Sequence, residues 1–253
     1  MRPGVPSVPL PSPPPDRPGE EAVESRRRAL VYRGPAACKE CPAALADLLR
    51  SSRWGFDVAY VGEDEDLDIS AATLANAALY AQPGGGNSVK RAYRYMKGST
   101  DTIRSYVRSG GRYLGVCMGG YLAGHWRGFR LLPEDTDQFV TSSGASVTTQ
   151  KDTLVDVDWR GRPHRMFFQD GPVFRLPRAA PSGITVLARY ASNGEIAAMV
   201  APFGRGKVGV CGPHPEAPDG WYEAHGLSVE RCSSAPLGHD LIDVLMSRSC
   251  CRC

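Results

Sequence analysis

Three short segments combine residue types that together could form a cysteine-based catalytic site. The first is Gly115–Gly120, sequence GVCMGG, which places Cys117 after the apolar pair Tyr113-Leu114 and before a short helix-compatible run. Glycines two residues before and two after a nucleophile permit the tight strand-to-helix turn of a nucleophile elbow. A helix that begins directly behind the thiol would favour its thiolate form. The same pattern also fits a buried cysteine in a glycine-rich turn.

Two further segments supply the other parts that such a nucleophile needs. Gln82–Gly86, sequence QPGGG, follows the strand-like run Ala77–Ala81, and consecutive glycines let backbone N–H groups point at one spot, as an oxyanion hole requires. His214 and Glu216 follow the strand-like run Lys207–Cys211 and offer a general base with a carboxylate to orient it. The order of a glycine-rich turn, a cysteine elbow and a His-x-Glu motif, each after a predicted strand, is much more specific than any one motif.

This order of motifs resembles class I glutamine amidotransferases, and in detail the amidotransferase-like domain at the N-terminus of some biotin–protein ligases. The resemblance runs from about Ala29 to about Pro218. The matching stretches are Val31–Gly34, Pro83–Gly85, Gly111–Ala123, Asp170–Phe174 and Gly212–Glu216. It implies a nucleophile at Cys117 with His214 as base and Glu216 as its partner, and an oxyanion hole formed by the N–H groups near Gly85 and of Met118.

The substrate pocket departs from the resembling family at one position. Glutamine-hydrolysing members usually carry a glutamine four residues after the nucleophile, where this chain has Tyr121, whose phenol cannot make the same amide contacts. We therefore expect an amide or related acyl substrate other than free glutamine. The expected substrate-binding residues are Gly84, Gly86, Tyr121, Gln169 and Asp170, the last two preceding a turn that lies near the site in the family.

The elements predicted around these motifs alternate between strands and helices. Strands are predicted at 29–32, 56–61, 77–81, 113–116 and 207–211, and helical segments at 42–50, from about 70, at 89–108 and at 241–246. From about residue 148, alternating hairpin-like strands are predicted at 153–159, 166–168, 184–190 and 196–200, with turns at Gly161 and Gly194. The expected fold is a flavodoxin-like, doubly wound and mainly parallel sheet with an antiparallel extension in the C-terminal half. Such folds place reactive loops at the carboxyl ends of their strands.

Three segments are expected along the chain. Residues 1–27 form a proline-rich tail that is predicted to be disordered, since it lacks the apolar residues for a core. Residues 28–248 form the amidotransferase-like domain, and 249–253 form a cysteine-rich tail. Nothing after Pro218 is long enough for a ligase domain, so we expect no biotin ligation.

Composition excludes several function classes. A hydrophobic fraction of 42%, a charged fraction of 23% and a net charge of +3 are ordinary for a globular domain and argue against a nucleic-acid partner. No run approaches the roughly 18–20 apolar residues of a membrane helix, and no signal-peptide core is present, so a cytoplasmic location is expected. The mechanism requires no cofactor or metal. Because no GxxxxGK[ST] loop occurs, any released ammonia would need a separate synthetase subunit as acceptor.

Two alternative functions stay open. Cys38 and Cys41 form a CxxC pair at a predicted helix start, where a thioredoxin-type dithiol would lie, although the fold pattern does not match thioredoxin. A zinc site that joins this pair to Cys250, Cys251 and Cys253 is disfavoured, because adjacent cysteines at a terminus seldom give tetrahedral geometry. The other alternative is a non-catalytic module that kept the pocket to bind a metabolite. The set of Cys117, His214 and Glu216 counts against it, since binding alone would not require all three.

Overall fold

One mixed sheet, covered by helices on both faces, organises the chain in the computed structural model. The structure describes residues 27–227 and 234–247; the predicted N-terminal and C-terminal tails lie almost entirely outside this range. The strands are β1 (Arg28–Tyr32), β2 (Asp57–Val61), β3 (Leu79–Gln82), β4 (Arg112–Val116), β5 (Thr136–Gln138), β6 (Thr153–Trp159), β7 (Arg162–Phe168), β8 (Pro172–Phe174), β9 (Thr185–Tyr190), β10 (Ile196–Phe203) and β11 (Gly206–Cys211). The helices are α1 (Cys41–Ser51), α2 (Ala71–Ala75), α3 (Val89–Met96), α4 (Thr100–Arg108), α5 (Met118–Ala123), α6 (Asp219–Ala224) and α7 (Ala235–Met246).

The sheet is parallel in one half and antiparallel in the other. Its order is β2-β1-β3-β4-β11-β10-β9-β6-β7, with β2, β1, β3, β4 and β11 mutually parallel and the remaining neighbours antiparallel. The predicted α/β fold with an antiparallel extension is therefore confirmed. The strands β3 and β4 are almost wholly buried, as expected where helices cover both faces. By contrast, burial alternates along the second half of β6.

Local sequence determines where these elements begin and turn. The hydroxyl of Ser70 accepts a hydrogen bond from Thr73 N at the start of α2, and Ser88 accepts one from Arg91 N at the start of α3. Proline occupies the first turn of α1 and of α7, where its missing N–H costs nothing. Arg160 and Gly161 both have positive φ, as a two-residue hairpin turn between β6 and β7 requires.

Helices on the two faces enclose separate apolar cores. One core packs α1 and α7 against the sheet and includes Leu45, Ile242 and Leu245. The other lies under α3, α4 and α5 and includes Ile103 and Leu122. The helix predicted over 89–108 is interrupted by a 3-10 turn at Lys97–Ser99, which separates α3 from α4. The strands β3, β4 and β11 are neighbours in the sheet, so their carboxyl ends bring the three chemical motifs to one edge.

Candidate active site

Cys117 occupies a strained turn between β4 and α5. Its φ of 49° lies in the left-handed region, which is uncommon for a residue other than glycine and occurs at functional turns. A Cβ on Gly115 would collide with the carbonyl of Gly119, and one on Gly119 would collide with the carbonyl of Gln82. The Cys117 N–H donates to Cys211 O at 2.8 Å, which ties the turn to the neighbouring β11. The predicted glycine spacing thus has a steric cause.

The Cys117 thiol is nearly buried and faces a backbone carbonyl. Its side chain donates a hydrogen bond to Gln169 O across 3.4 Å. Cys211 is the other free cysteine among residues 27–227 and 234–247, and it is completely buried. Burial raises the pKa of the Cys211 thiol well above its ordinary value. The two free thiols therefore differ in access, since Cys117 borders a cleft.

His214 and Glu216 form a buried pair directly after β11. Nδ1 of His214 lies 2.9 Å from Oε1 of Glu216, and both side chains are almost completely buried. The backbone N–H of His214 donates to Phe167 O, and the rings of Phe167 and Trp221 pack edge-on against the imidazole. Nε2 of His214 has no hydrogen-bond partner within the described parts of the chain. The carboxylate therefore fixes one ring nitrogen and leaves the other available.

The charges around His214 favour its protonated form. Burial by itself lowers the pKa of His214, but Glu216 and Cys117 outweigh this effect and raise the pKa to about 10. The interaction with Cys117 places the imidazole within electrostatic reach of the sulfur. The raised pKa favours the protonated imidazole, a form that could stabilise a thiolate and later donate a proton.

The glycine-rich loop after β3 lies between the histidine and the nucleophile turn. A Cβ on Gly84 would lie 2.8 Å from Cε1 of His214, and one on Gly85 would lie 2.9 Å from Cγ of Met118. This close packing explains why side chains are not accommodated at either position. The N–H groups of Gly85 and Met118 donate to no other residue in the described ranges. Gly85 packs against the side chain of Met118, the second residue predicted for the oxyanion hole.

A cleft of about 330 Å³ opens above Cys117. Most of the residues predicted to bind substrate or hold the oxyanion line it: Gly85, Gly86, Met118, Tyr121, Gln169 and Asp170. Gly84 does not line this cleft, because it is buried against His214. Neither His214 nor Glu216 lines it either, and Glu216 borders a different cavity.

Tyr121 both packs inside the protein and borders the cleft. Its hydroxyl donates to Asp170 O at 3.1 Å, and burial raises the pKa of the phenol far above its ordinary value. It thereby holds the Asp170 turn, whose φ is also positive at 49°. Burial raises the pKa of the Asp170 carboxyl, an effect partly opposed by hydrogen bonds from the amides of Gln138 and Gln150 at 2.7–2.8 Å.

Sequence reasoning missed one wall of the cleft. Residues from α3 and its preceding loop, from the loop after α5 and from β5 contribute to the lining: Asn87, Ser88, Val89, Lys90, Trp126, Thr136, Asp137 and Gln138. No motif marks these residues, and β5 itself was not predicted. Trp126 is 60% exposed, and its place beside the cleft becomes evident only in the folded structure.

Cys38 and Cys41 form a disulfide immediately beside the glycine-rich loop. The N–H of Cys38 donates to Gly84 O at 3.0 Å, and a Cβ on Gly84 would lie 3.0 Å from Sγ of Cys41. Gly84 is thus packed between the disulfide and His214. The predicted dithiol and the predicted hydrolase site are neighbours in space, although 76 positions separate Cys41 from Cys117 in sequence.

The described ranges show neither a metal cluster nor a membrane-spanning helix. No group of three or more histidine, cysteine or acidic side chains is arranged to hold a metal ion there. No helix in the same ranges is sufficiently long and apolar to cross a membrane. The C-terminal cysteines considered for a zinc site lie outside the described residues.

Comparisons with known proteins agree with this architecture. Residues 27–139 match the family model described as biotin-protein ligase, N terminal. This segment contains the glycine-rich loop and the Cys117 turn, while His214 and Glu216 lie beyond it. A search of the curated proteins found no match.

Solved glutamine amidotransferase structures share the fold. One from Thermotoga maritima is 16% identical with a TM-score of 0.58, covering 87% of this chain and 96% of its own. A second is 17% identical with a TM-score of 0.53, covering 79% of this chain and 99% of its own. One from Methylobacillus flagellatus is 13% identical with a TM-score of 0.51, covering 87% and 92%. The chain therefore has a glutamine amidotransferase-like fold with a segment like the N-terminal region of biotin–protein ligases, and the resemblance drawn from its motifs is confirmed.

Proposed function

We propose that this protein is an amidotransferase-like cysteine hydrolase that cleaves an amide or related acyl bond through a thioester at Cys117. The observation that carries the proposal is the convergence of three motifs at the carboxyl ends of β3, β4 and β11. Gly85 packs against Met118, and His214 is held by Glu216 within electrostatic reach of Cys117. A protein that only binds a metabolite would not need a histidine paired with a carboxylate beside a cysteine and a glycine-rich loop.

The reaction follows from the charges of these groups. The Cys117 thiolate attacks the acyl carbon, and the N–H groups of Gly85 and Met118 stabilise the negative charge on its oxygen. The C–N bond then breaks while the imidazolium of His214 gives its proton to the departing amine. His214 then deprotonates a water molecule, which attacks the thioester. The C–S bond breaks and the acid leaves. Cys117 is restored as a thiolate and His214 as an imidazolium.

The substrate is proposed to be a small molecule other than free glutamine. Tyr121 fills the position that a glutamine side chain occupies in glutamine-hydrolysing relatives, and its hydroxyl is already engaged with the backbone of Asp170. Where the leaving amine is ammonia destined for synthesis, a separate synthetase subunit is the proposed acceptor. The cytoplasmic location expected from the sequence remains a prediction.

Acyl transfer to the protein tests the proposal. We expect p-nitrophenyl acetate to acetylate Cys117, detected as one added acetyl group on the peptide that contains it. Cys117→Ala should lose the modification, whereas Cys211→Ala should retain it, since Cys211 has no access to the cleft. Equal acetylation in Cys117→Ala and the unchanged protein would show that another group is the nucleophile.

The disulfide supports a second candidate function, dithiol exchange by Cys38 and Cys41. In that reaction a dithiol reductant attacks one sulfur, forms a mixed disulfide and is itself oxidised, leaving two protein thiols. Catalysed reduction of insulin by dithiothreitol that disappears in Cys38→Ser, but persists in Cys117→Ala, would favour this function. The absence of any such catalysis would remove it.

A further inference from the structure

A second, strongly basic cleft adjoins the cleft above Cys117. It encloses about 380 Å³, and five cationic side chains line it: Lys90, Arg91, Arg94, Lys97 and Arg127. No acidic residue lines it. The chain as a whole carries a net charge of only +3, so this concentration of charge is local. We refer to this space as the basic cleft.

None of these five cations forms an ion pair within residues 27–227 and 234–247. Elsewhere on the surface, arginines meet carboxylates, as in the pairs Arg33–Glu65, Arg160–Asp240 and Arg175–Glu195. Lys90, Arg91, Arg94 and Lys97 recur along α3 and the following turn at spacings of three and four. Like charges at these spacings repel one another and destabilise a helix. A bound anion would relieve that repulsion.

Arg127 is presented to the basic cleft by a well-anchored loop. Its φ is 51°, and its guanidinium lies 5.0 Å from the ring centroid of Trp126. The carboxylate of Asp135 accepts hydrogen bonds from the Trp126 N–H, while Arg130 N donates to Gly124 O at 2.9 Å. The loop therefore holds Arg127 opposite α3, and cations reach the cleft from two separate segments.

The basic cleft lies next to the cleft above Cys117. Ser88 and Lys90 line both spaces, and the consecutive residues Trp126 and Arg127 line one each. The two spaces therefore share part of one wall, formed by Ser88 and Lys90. A concave cluster of arginines and lysines is suited to phosphate, because guanidinium groups form paired, charge-assisted hydrogen bonds with its oxygens.

We propose that the basic cleft binds a phosphate-bearing part of the substrate, while the substrate's acyl group lies at Cys117. The placement of the acyl group at Cys117 rests on the proposed function, because only the hydrolase reaction assigns an acyl group to this site. A compact space beside the cleft above Cys117 favours a small molecule over a nucleic-acid strand, which would require a longer charged surface. The exposed indole of Trp126 lines the cleft above Cys117, directly before Arg127 of the basic cleft, and offers a flat apolar surface to the ligand.

Binding of inorganic pyrophosphate to full-length Cys117→Ala tests the anion site independently of catalysis. We expect one binding site by calorimetry, and at least a tenfold loss of affinity in Arg91→Ala/Arg94→Ala/Lys97→Ala. The matched control, Lys151→Ala/Arg178→Ala/Arg205→Ala, removes the same charge outside both clefts and should change affinity less than twofold. Equal losses in both variants, or no binding, would overturn the proposal. An oligonucleotide that binds a hundredfold more tightly than pyrophosphate would also overturn it, in favour of nucleic acid.

A second measurement tests whether the basic cleft acts on the nucleophile. Iodoacetate and iodoacetamide have similar size but differ in charge, so the ratio of their alkylation rates at Cys117 reports the local potential. We expect the iodoacetate-to-iodoacetamide ratio to fall at least threefold in the cleft variant and to stay unchanged in the control variant. An unchanged ratio in both variants would show that the basic cleft does not act on Cys117 and would contradict the proposal. Failure of Cys117 to be acetylated, with pyrophosphate binding intact, would refute the hydrolase alone.

Discussion

At the scale of single residues, the proposed active site depends on a few side chains whose surroundings give them unusual properties. Cys117 and Asp170 both have positive φ, and a hydrogen bond from Tyr121 links the helix behind one to the turn of the other. Residue types and spacing were sufficient to predict Cys117, His214 and Glu216 as candidates. Gln138 and Gln150, which donate to Asp170, carry no local motif and become evident only in three dimensions.

The first prediction at this scale concerns which substrate the protein hydrolyses. The unchanged protein should hydrolyse free L-glutamine weakly or not at all, because a phenol lacks the paired donor and acceptor of an amide. Tyr121→Gln should raise glutamine turnover, whereas Tyr121→Phe, which keeps the bulk of the ring, should not. Released glutamate measured over time provides the comparison. Robust glutaminase activity in the unchanged protein would show that other residues bind the substrate.

The raised pKa of His214 gives a second prediction. Its pKa is about 10 in the folded protein, compared with about 6.5 in an unfolded chain. The proton therefore stabilises the fold fully below about pH 6.5, and this contribution is lost as the pH rises through 10. The unfolding free energy of the protein minus that of His214→Ala should decrease between pH 7 and pH 10, measured by urea denaturation. A difference that stays constant or grows over this range would contradict an imidazolium at neutral pH.

At the scale of elements, the sheet order determines which loops meet. The strands with continuous apolar runs were predictable, and so was the alternating burial in the second half of β6. The three-residue strands β5 and β8 were missed because such short segments carry no period. They matter nevertheless, since β5 supplies Gln138 to one wall of the cleft. Short strands form here because neighbouring strands already present partners, and a local pattern does not record that.

At this scale, we predict that the turn between β4 and α5 does not tolerate a side chain at Gly119. Gly119→Ala would force a methyl group into the carbonyl of Gln82, so the turn or β3 must move. We expect a loss of about 3 kcal/mol in stability or more, equivalent to a melting temperature lower by ~10 °C. Gly98→Ala is the matched control, because nothing lies within 4 Å of the added methyl group. Equal melting temperatures for the two variants would refute the steric explanation of the motif.

At the scale of the whole molecule, α7 closes the structure over the strand that carries the histidine. Trp159 and Trp54 donate from their indole nitrogens to Asp240 and Asp243 at 2.8 Å, joining α7 to β6 and to the end of α1. The amphipathic sequence 241–246 predicted this helix but not its partners. Those partners are more than 80 positions away, so only the folded topology reveals them.

The packing of α7 against the sheet leads to a prediction about stability. Leu245 is completely buried and packs against Gly209 of β11, so Leu245→Ala should leave a cavity beneath that strand. The expected cost is about 2–5 kcal/mol. Val244→Ala on the half-buried side of α7 should cost less than about 1 kcal/mol. Chemical denaturation of both variants makes the comparison, and similar small costs would mean that α7 is loosely attached.

The rate at which iodoacetamide alkylates Cys117 at pH 7 tests the central claim, that His214 activates this thiol, most directly. We expect Cys117 to react at least tenfold faster in the unchanged protein than in His214→Ala, because the imidazolium stabilises the reactive thiolate. The buried Cys211 in the same molecules should stay unmodified and thereby confirm that both proteins are folded. Equal rates at Cys117 with and without His214 would contradict the proposed catalytic site.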